Sequence, residues 1–162
     1  MARRVNLDEL VPIREAARAE GRVVVLANGL FDLLHVGHLR FLEAARREGD
    51  LLVVALNGDR SAGELKGPGR PVVPEDERAE LIAGFACVDY VVIWDQLTMD
   101  ELIDRLRPDV HAKGPDYGTP EHVPEYQSVR AHGGRTALVG DPKDHASRDL
   151  IASIVARFGT TR

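Results

Sequence analysis

Apolar residues recur with two different periods along this chain, and the periods alternate. From Leu7 to about Glu20 the apolar positions Leu7, Leu10, Ile13 and Ala17 keep helical spacing. Pro12 falls inside that stretch, so the pattern allows the helix to begin there, with the proline in its first turn. Gly21 ends it. The run Val23–Ala27 is continuously apolar and predicts a strand, and a helix follows from about Gly37 to Arg47, with Leu39, Phe41, Leu42 and Ala45 facing inward. After the Gly49-Asp50 turn a second strand runs from Leu51 to Leu56. The stretch from Asn57 to Pro71 is rich in Gly and Pro and predicts a loop. Pro74-Glu75-Asp76-Glu77 puts acidic residues where a helix dipole favours them, and that helix continues through Leu81, Ile82 and Phe85. Further strands are predicted at Tyr90–Ile93, Val110–Lys113 and Thr136–Val139. Helices are predicted at Met99–Leu106, Val123–His132 and Ser147–Phe158.

Strands alternating with helices imply a five-stranded parallel sheet, doubly wound, with helices on both faces. Right-handed crossovers bring ligands to the carboxyl ends of such strands. The loops expected there are Asn28–His38, Asn57–Arg70, Lys113–Tyr117 and Gly140–Ser147. With 162 residues the chain is expected to form a single α/β domain, residues 22–162, preceded by a helical extension at residues 1–21.

Composition narrows the partners. At 44% hydrophobic and 29% charged, the chain can bury a full core. No apolar run approaches the roughly 20 residues that span a bilayer, and the basic start is not followed by a signal-peptide core. A cytoplasmic protein without a membrane partner is expected. A net charge of −5 with no basic block argues against nucleic acid as the main partner. Cys87 is the only cysteine, which excludes an internal disulfide; its apolar neighbours suit a small core residue.

The chemistry concentrates in Asn28-Gly29-Leu30-Phe31-Asp32-Leu33-Leu34-His35-Val36-Gly37-His38, a turn between a strand and a helix. At a first helical turn, residues i and i+3 share a face, so His35 and His38 converge. Free N–H groups and the positive dipole end attract anions there, and Gly37 lets a phosphate approach the backbone. Two imidazoles add donors that can follow oxygens as charge develops at an attacked phosphorus. Surface or core histidines on an amphipathic helix are the alternative, and a zinc site is a weaker rival because no further His/Cys cluster accompanies the pair.

Gly29-Leu30-Phe31-Asp32-Leu33-Leu34-His35-Val36-Gly37-His38 resembles the signature of the cytidylyltransferase-like nucleotidyltransferases, whose hallmark is His-x-Gly-His. Lys66-Gly67-Pro68-Gly69-Arg70-Pro71, Glu77-Arg78 and Lys113-Gly114-Pro115-Asp116-Tyr117 resemble the adenylyltransferase domain of the bacterial heptose kinase/adenylyltransferase. The likeness runs from about Arg22 to Phe158. It implies a Rossmann-like fold, a homodimer, and nucleotidyl transfer from a nucleoside triphosphate carrying Mg²⁺ to a phosphorylated sugar or polyol. His35, His38 and Lys66 would be catalytic. Leu30, Phe31, Asp32, Gly37, Lys113, Asp116, Ser147 and Arg148 would contact the nucleotide, and Asn57, Asp59 and Arg78 the second substrate.

Each residue has a plainer reading beside this one. Lys66 reads as a solvated lysine in a Gly/Pro loop, and Arg78 as a partner for Glu75, Asp76, Glu77 or Glu80. Asn57, Asp59 and Asp116 read as turn formers. Asp32 could support the loop, orient a histidine or touch magnesium through water. Trp94, His111, His122 and His132 have no partner pattern and read as structural.

One stretch departs from the family. Members usually carry a Ser/Thr-rich signature before the last helix, whereas here the sequence is Asp144-His145-Ala146-Ser147-Arg148-Asp149. Ser147 is expected as the helix N-cap. Arg148, His145 or Lys143 would replace lost hydroxyl contacts with charge. The resemblance favours adenylyl transfer to a heptose 1-phosphate, with any kinase step falling to another protein. The alternatives are cytidylyl transfer to glycerol 3-phosphate or a related alcohol phosphate, and a nucleotide-binding module with weakened turnover. A class I aminoacyl-tRNA synthetase, which carries a similar histidine motif, would need a longer chain.

Overall fold

The computed structural model describes residues 1–142 and 146–159. In chain order the elements are β1 (Arg3–Arg4), α1 (Leu7–Ala19), β2 (Val24–Gly29), α2 (Val36–Arg46), β3 (Leu51–Asn57), α3 (Asp59–Lys66), α4 (Glu75–Ala83), β4 (Tyr90–Trp94), α5 (Asp100–Leu106), β5 (Val110–Lys113), α6 (Tyr126–Ala131), β6 (Arg135–Leu138) and α7 (Ser147–Phe158). Two short 3₁₀ turns, Pro115–Tyr117 and Pro120–His122, lie between β5 and α6.

The sheet is fully parallel, with strand order β1-β4-β3-β2-β5-β6. It has six strands rather than the expected five. The extra one, β1, is two residues of an edge strand paired with Tyr90 and Val91, too short and too charged to leave an apolar signature. Successive strand residues face opposite layers. Val24, Leu26, Val53 and Ala55 pack with Leu10, Leu102 and Ile103 from α1 and α5. Val25, Ala27, Leu52 and Val54 pack with Leu42, Ala45, Ala79 and Ile82 from α2 and α4. Two apolar layers on one sheet explain why these strands read as continuous apolar runs.

The N-terminal helix starts before Pro12. Asn6 caps it: its side chain accepts from Glu9 N–H, and the Glu9 carboxylate accepts from Asn6 N–H, leaving Pro12 inside the helix. This helix is tied to the sheet by buried Arg14, which donates to the Arg107 carbonyl at 3.0 Å and to Asp109 at 2.8 Å. The Asn57–Pro71 stretch, expected as loop, contains helix α3. Its start is held from outside, because Asp95 accepts from Ser61 N–H and Glu75 accepts from Asp59 N–H. Tertiary caps of this kind override the weak propensity of a Gly-containing segment. The helix expected over Val123–His132 is reduced to α6 after the two 3₁₀ turns.

The chain reverses direction across the sheet between β2 and β5, whose neighbours diverge to either side. Ligands of open α/β sheets bind in the crevice at such a point.

Candidate functional site

A cleft of about 860 Å³ opens at that crevice. Its lining includes Asn28 from the end of β2, the Leu30–His38 turn, Lys66 and Arg70, the Lys113–Tyr117 segment, Glu125, and the start of α7. The four loops expected to converge do so, the last of them through its described residues 140–142, 146 and 147.

His35 is the N-cap residue of α2 and His38 its third residue. Their rings stack with centroids 3.9 Å apart and 25° between planes. The His35 backbone N–H donates to His38 Nδ1 at 3.4 Å, so a neutral His38 ring carries its proton on Nε2. Phe31 meets the His38 ring edge-on at 5.4 Å. Both histidines and Gly37 line the cleft.

The turn before them is unusual. Phe31 and Leu33 both take left-handed backbone angles, φ +51° and +50°. Non-glycine residues there cost about 1–3 kcal/mol each, so the surroundings must hold them. Asp32, between them, is buried. Its carboxylate accepts from Arg70 Nε at 2.6 Å, from Val72 N–H at 2.9 Å and from Val73 N–H at 3.1 Å. Burial alone would raise the Asp32 pKa; the Val72 and Val73 N–H groups and Arg70 more than offset it and hold the carboxyl below the usual range. Of the three roles open to Asp32, the geometry supports loop support: the carboxylate straps the Arg70–Val73 segment to the histidine turn. The Ser147 hydroxyl donates to the Asp32 carbonyl at 2.5 Å. Ser147 is therefore the first residue of α7 and not its cap; Ala146 takes the cap position.

Arg78 lies away from the cleft lining. It is 1% exposed, with Nε on the Val73 carbonyl, Nη1 on the carbonyls of Leu30 and Asn57, and Nη2 on Asp59 at 2.6 Å. Of the acidic residues expected to pair with it, none does so; Asp59 takes that place. Arg78 thus joins the ends of β2 and β3, the start of α3 and the strap, and the Asp59 carboxylate is engaged by it. Asn57 lines the cleft, with its amide donating weakly to Ser61 Oγ at 3.5 Å. Lys66 is exposed and ends α3, a helical position rather than the loop expected. Asp116 and Arg148 are also exposed at the cleft, as residues of the first 3₁₀ turn and of α7. Gly114 lets Asp116 lie close, because a Cβ there would meet the Asp116 carboxylate at 2.6 Å. Lys143, Asp144 and His145 lie outside the described residues.

Sequence reasoning missed a buried polar cluster beside the histidines. Asn28 Oδ1 accepts from His111 Nε2 at 2.8 Å and from Lys113 Nζ at 3.2 Å. Glu125 Oε1 accepts from the same ammonium at 3.2 Å and from the Asn28 amide at 3.5 Å. The ammonium also lies 5.5 Å from the Tyr117 ring centre. Burial, and then the Lys113 charge, push the His111 pKa down to about 4. His111 is thus structural, as expected, but it anchors residues of the cleft. All four residues of β5 are buried, so His111 and Lys113 need polar partners, and those partners come from Asn28 and Glu125, segments far away in sequence.

A sequence model of the cytidylyltransferase-like family matches residues 26–149, which span the histidine turn, the strap and the start of α7. The chain belongs to this family. That membership places it among the nucleotidyltransferases, and the match extends well beyond the His-x-Gly-His segment, over residues 26–149. The chain is 47% identical over 151 residues to the bifunctional protein HldE of Syntrophotalea carbinolica, covering 93% of this chain and 31% of that protein. It is 45% identical over 153 residues to HldE of Trichlorobacter lovleyi, covering 94% and 31%. The chain thus spans about a third of the length of these relatives. Among solved structures, the lipopolysaccharide core biosynthesis protein of Thermoplasma volcanium superposes with a TM-score of 0.66 at 26% identity, covering 76% of this chain and all of that one. No described helix is long and apolar enough to cross a membrane.

Proposed function

We propose that this protein transfers an adenylyl group from ATP to a phosphorylated sugar of the heptose 1-phosphate class, releasing pyrophosphate. The observation that carries the reading is the stacked His35–His38 pair at the start of α2, inside the cleft at the point where the sheet changes direction. The similarity to HldE proteins and to a lipopolysaccharide core biosynthesis protein supports a sugar phosphate as acceptor.

In this reading the acceptor's phosphate oxygen attacks the α-phosphorus in line, and the bond to pyrophosphate breaks on the far side. The nucleophile is already an anion, so the site needs donors for developing charge rather than a base. His38 Nε2–H and His35 supply donors, and Lys66 and Arg148 add positive charge from the rim. The α2 N-terminus supplies backbone N–H groups. The described residues hold no group of three or more His, Cys, Asp or Glu that could cage a metal, and the Asp32 carboxylate is taken by the strap. That donor set fits Mg²⁺ carried by the triphosphate oxygens, where it would offset phosphate charge. Asp116 and Asn57 are assigned to the nucleotide and the second substrate respectively. A homodimer, a soluble cytoplasmic setting and the absence of nucleic acid partners belong to the same proposal.

A second reading is cytidylyl transfer to glycerol 3-phosphate or a related alcohol phosphate; the family's description supports its cytidylyl half. One assay separates them: protein with Mg²⁺, each of four nucleoside triphosphates, and a panel of sugar and polyol phosphates, followed by pyrophosphate release. ATP with heptose 1-phosphate is expected to give the fastest release. CTP with glycerol 3-phosphate leading would favour the second reading. Nucleotide binding without release from any pair would defeat both and leave a binding module.

A further inference from the structure

The cluster of Asn28, Lys113, Tyr117 and Glu125 lines the same cleft as the histidines, yet no step of the proposed transfer uses it. Glu125 is about nine-tenths buried. One of its oxygens, Oε1, is held by Lys113 and Asn28, while Oε2 is buried and has no hydrogen-bond partner among the described residues. A buried carboxylate oxygen left without a donor is costly; Glu125 lines the cleft, so a small turn of its side chain toward a donor entering there would relieve it.

The chemistry of the cluster selects that donor. A phosphate is repelled by the Glu125 carboxylate. A cation is repelled by the Lys113 ammonium, which stands 3.2 Å from the same side chain. The two charges cancel, leaving a neutral site that offers an acceptor at Glu125 and donors at Lys113 and Asn28. A hydroxyl meets both needs, since it donates one hydrogen bond while accepting another. His111 holds the arrangement from below: being neutral, it donates to Asn28 Oδ1 and so leaves the Asn28 amide directed at Glu125.

Resting on the function proposed above, we propose that Asn28, Lys113 and Glu125 form a hydroxyl-recognition subsite, with Glu125 Oε2 accepting from a sugar hydroxyl of the bound substrate. The acceptor sugar and the nucleotide ribose both carry such hydroxyls, and binding measurements tell them apart.

Glu125→Gln keeps the side-chain shape and the bonds to Oε1 but turns Oε2 into a donor. Its melting curve and that of the unaltered protein establish that both are folded. Calorimetry then measures heptose 1-phosphate, ATP, 2′-deoxyATP and 3′-deoxyATP on each, without requiring turnover. The expected result is that heptose 1-phosphate binds Glu125→Gln about 10- to 100-fold more weakly, the scale of a lost hydrogen bond to a charged group. A loss confined to ATP, down to the affinity of one deoxy analogue, supports the same chemistry with ribose as the source. Equal losses for ATP and both deoxy analogues, with the sugar phosphate unaffected, would overturn the proposal in favour of base contact. Unchanged affinities throughout would overturn it outright.

Deoxy analogues of the sugar phosphate on the unaltered protein give a second measurement. At least one must lose the same factor, and uniform binding of all of them with an unaffected ATP series contradicts the subsite. Turnover by the unaltered protein with Glu125→Gln unchanged would sink the subsite and leave the reaction standing. Sugar phosphate binding without pyrophosphate release would do the reverse.

Discussion

Replacing Asp32 by Asn tests whether the strap holds the histidine turn in its strained form. Both oxygens of the carboxylate face donors: Oδ1 takes Val72 and Val73 N–H at 3.1 Å each, and Oδ2 takes Arg70 at 2.6 Å and Val72 at 2.9 Å. An amide must therefore point its NH₂ group at an N–H donor whichever way it turns. The charge-assisted bond to Arg70 is weakened as well, with Arg70 only 18% exposed and Asp32 fully enclosed. A hydrogen bond to a charged group is worth about 1.5–3 kcal/mol, and stranding a buried charge costs about 3–5 kcal/mol. We expect a loss of about 3 kcal/mol, read as a lower urea midpoint with an unchanged slope. Turnover should fall about 100-fold, because the strap follows the helix that ends in Lys66 and misplacing a group by about 1 Å can cost that factor. The pH dependence has a definite sign. The folded-state pKa of Asp32 is lowered, so its contribution is complete above the ordinary carboxylate range and is lost as pH falls through the lowered value. Asp32→Asn should remove that part of the acid dependence. A variant with normal midpoint and normal turnover would refute the strap's role.

Two further predictions follow from buried groups. His111 has a pKa of about 4 in the fold against an ordinary value of 6.5, so the unfolded chain takes up a proton first as pH falls. Stability should be undiminished above pH 6.5 and decline between 6.5 and 4 by about 3 kcal/mol, by linkage. Urea melts of the protein and of His111→Gln across that range check this, and parallel curves would contradict it. Arg78→Met leaves the Asp59 carboxylate and three carbonyls without their shared donor. It should destabilise by about 3–5 kcal/mol while Arg78→Lys recovers only part. A wild-type melting temperature for Arg78→Met would contradict the clamp and reopen a direct substrate role.

Why some of this was legible in the sequence, and some not, follows from the range of the interactions. The central strands were legible because burial on both faces leaves runs such as Leu51–Leu56 wholly apolar. The histidine pair was legible because its partners are three residues apart and its helix start is local. Helix α3 was not, because what caps it, Asp95 and Glu75, arrives from distant segments. The role of Arg78 was hidden for the same reason: its neighbours in sequence are acidic, but its contacts are Leu30, Asn57, Asp59 and Val73. Glu125 gave no signal, since an isolated glutamate before a short helix looks solvated until β5 places Lys113 against it. Edge strand β1 is two arginines long, so its pairing with β4 leaves no apolar pattern in the sequence.

In the proposed mechanism the His35–His38 pair stabilises charge at an attacked α-phosphorus. Pyrophosphate release from ATP, Mg²⁺ and heptose 1-phosphate, measured for the protein and for His38→Ala side by side, tests it most directly. The expected result is release by the protein and a loss of about 100- to 1,000-fold in His38→Ala, the scale of removing one transition-state donor, with an unchanged melting temperature. Near-normal release by a folded His38→Ala would contradict it.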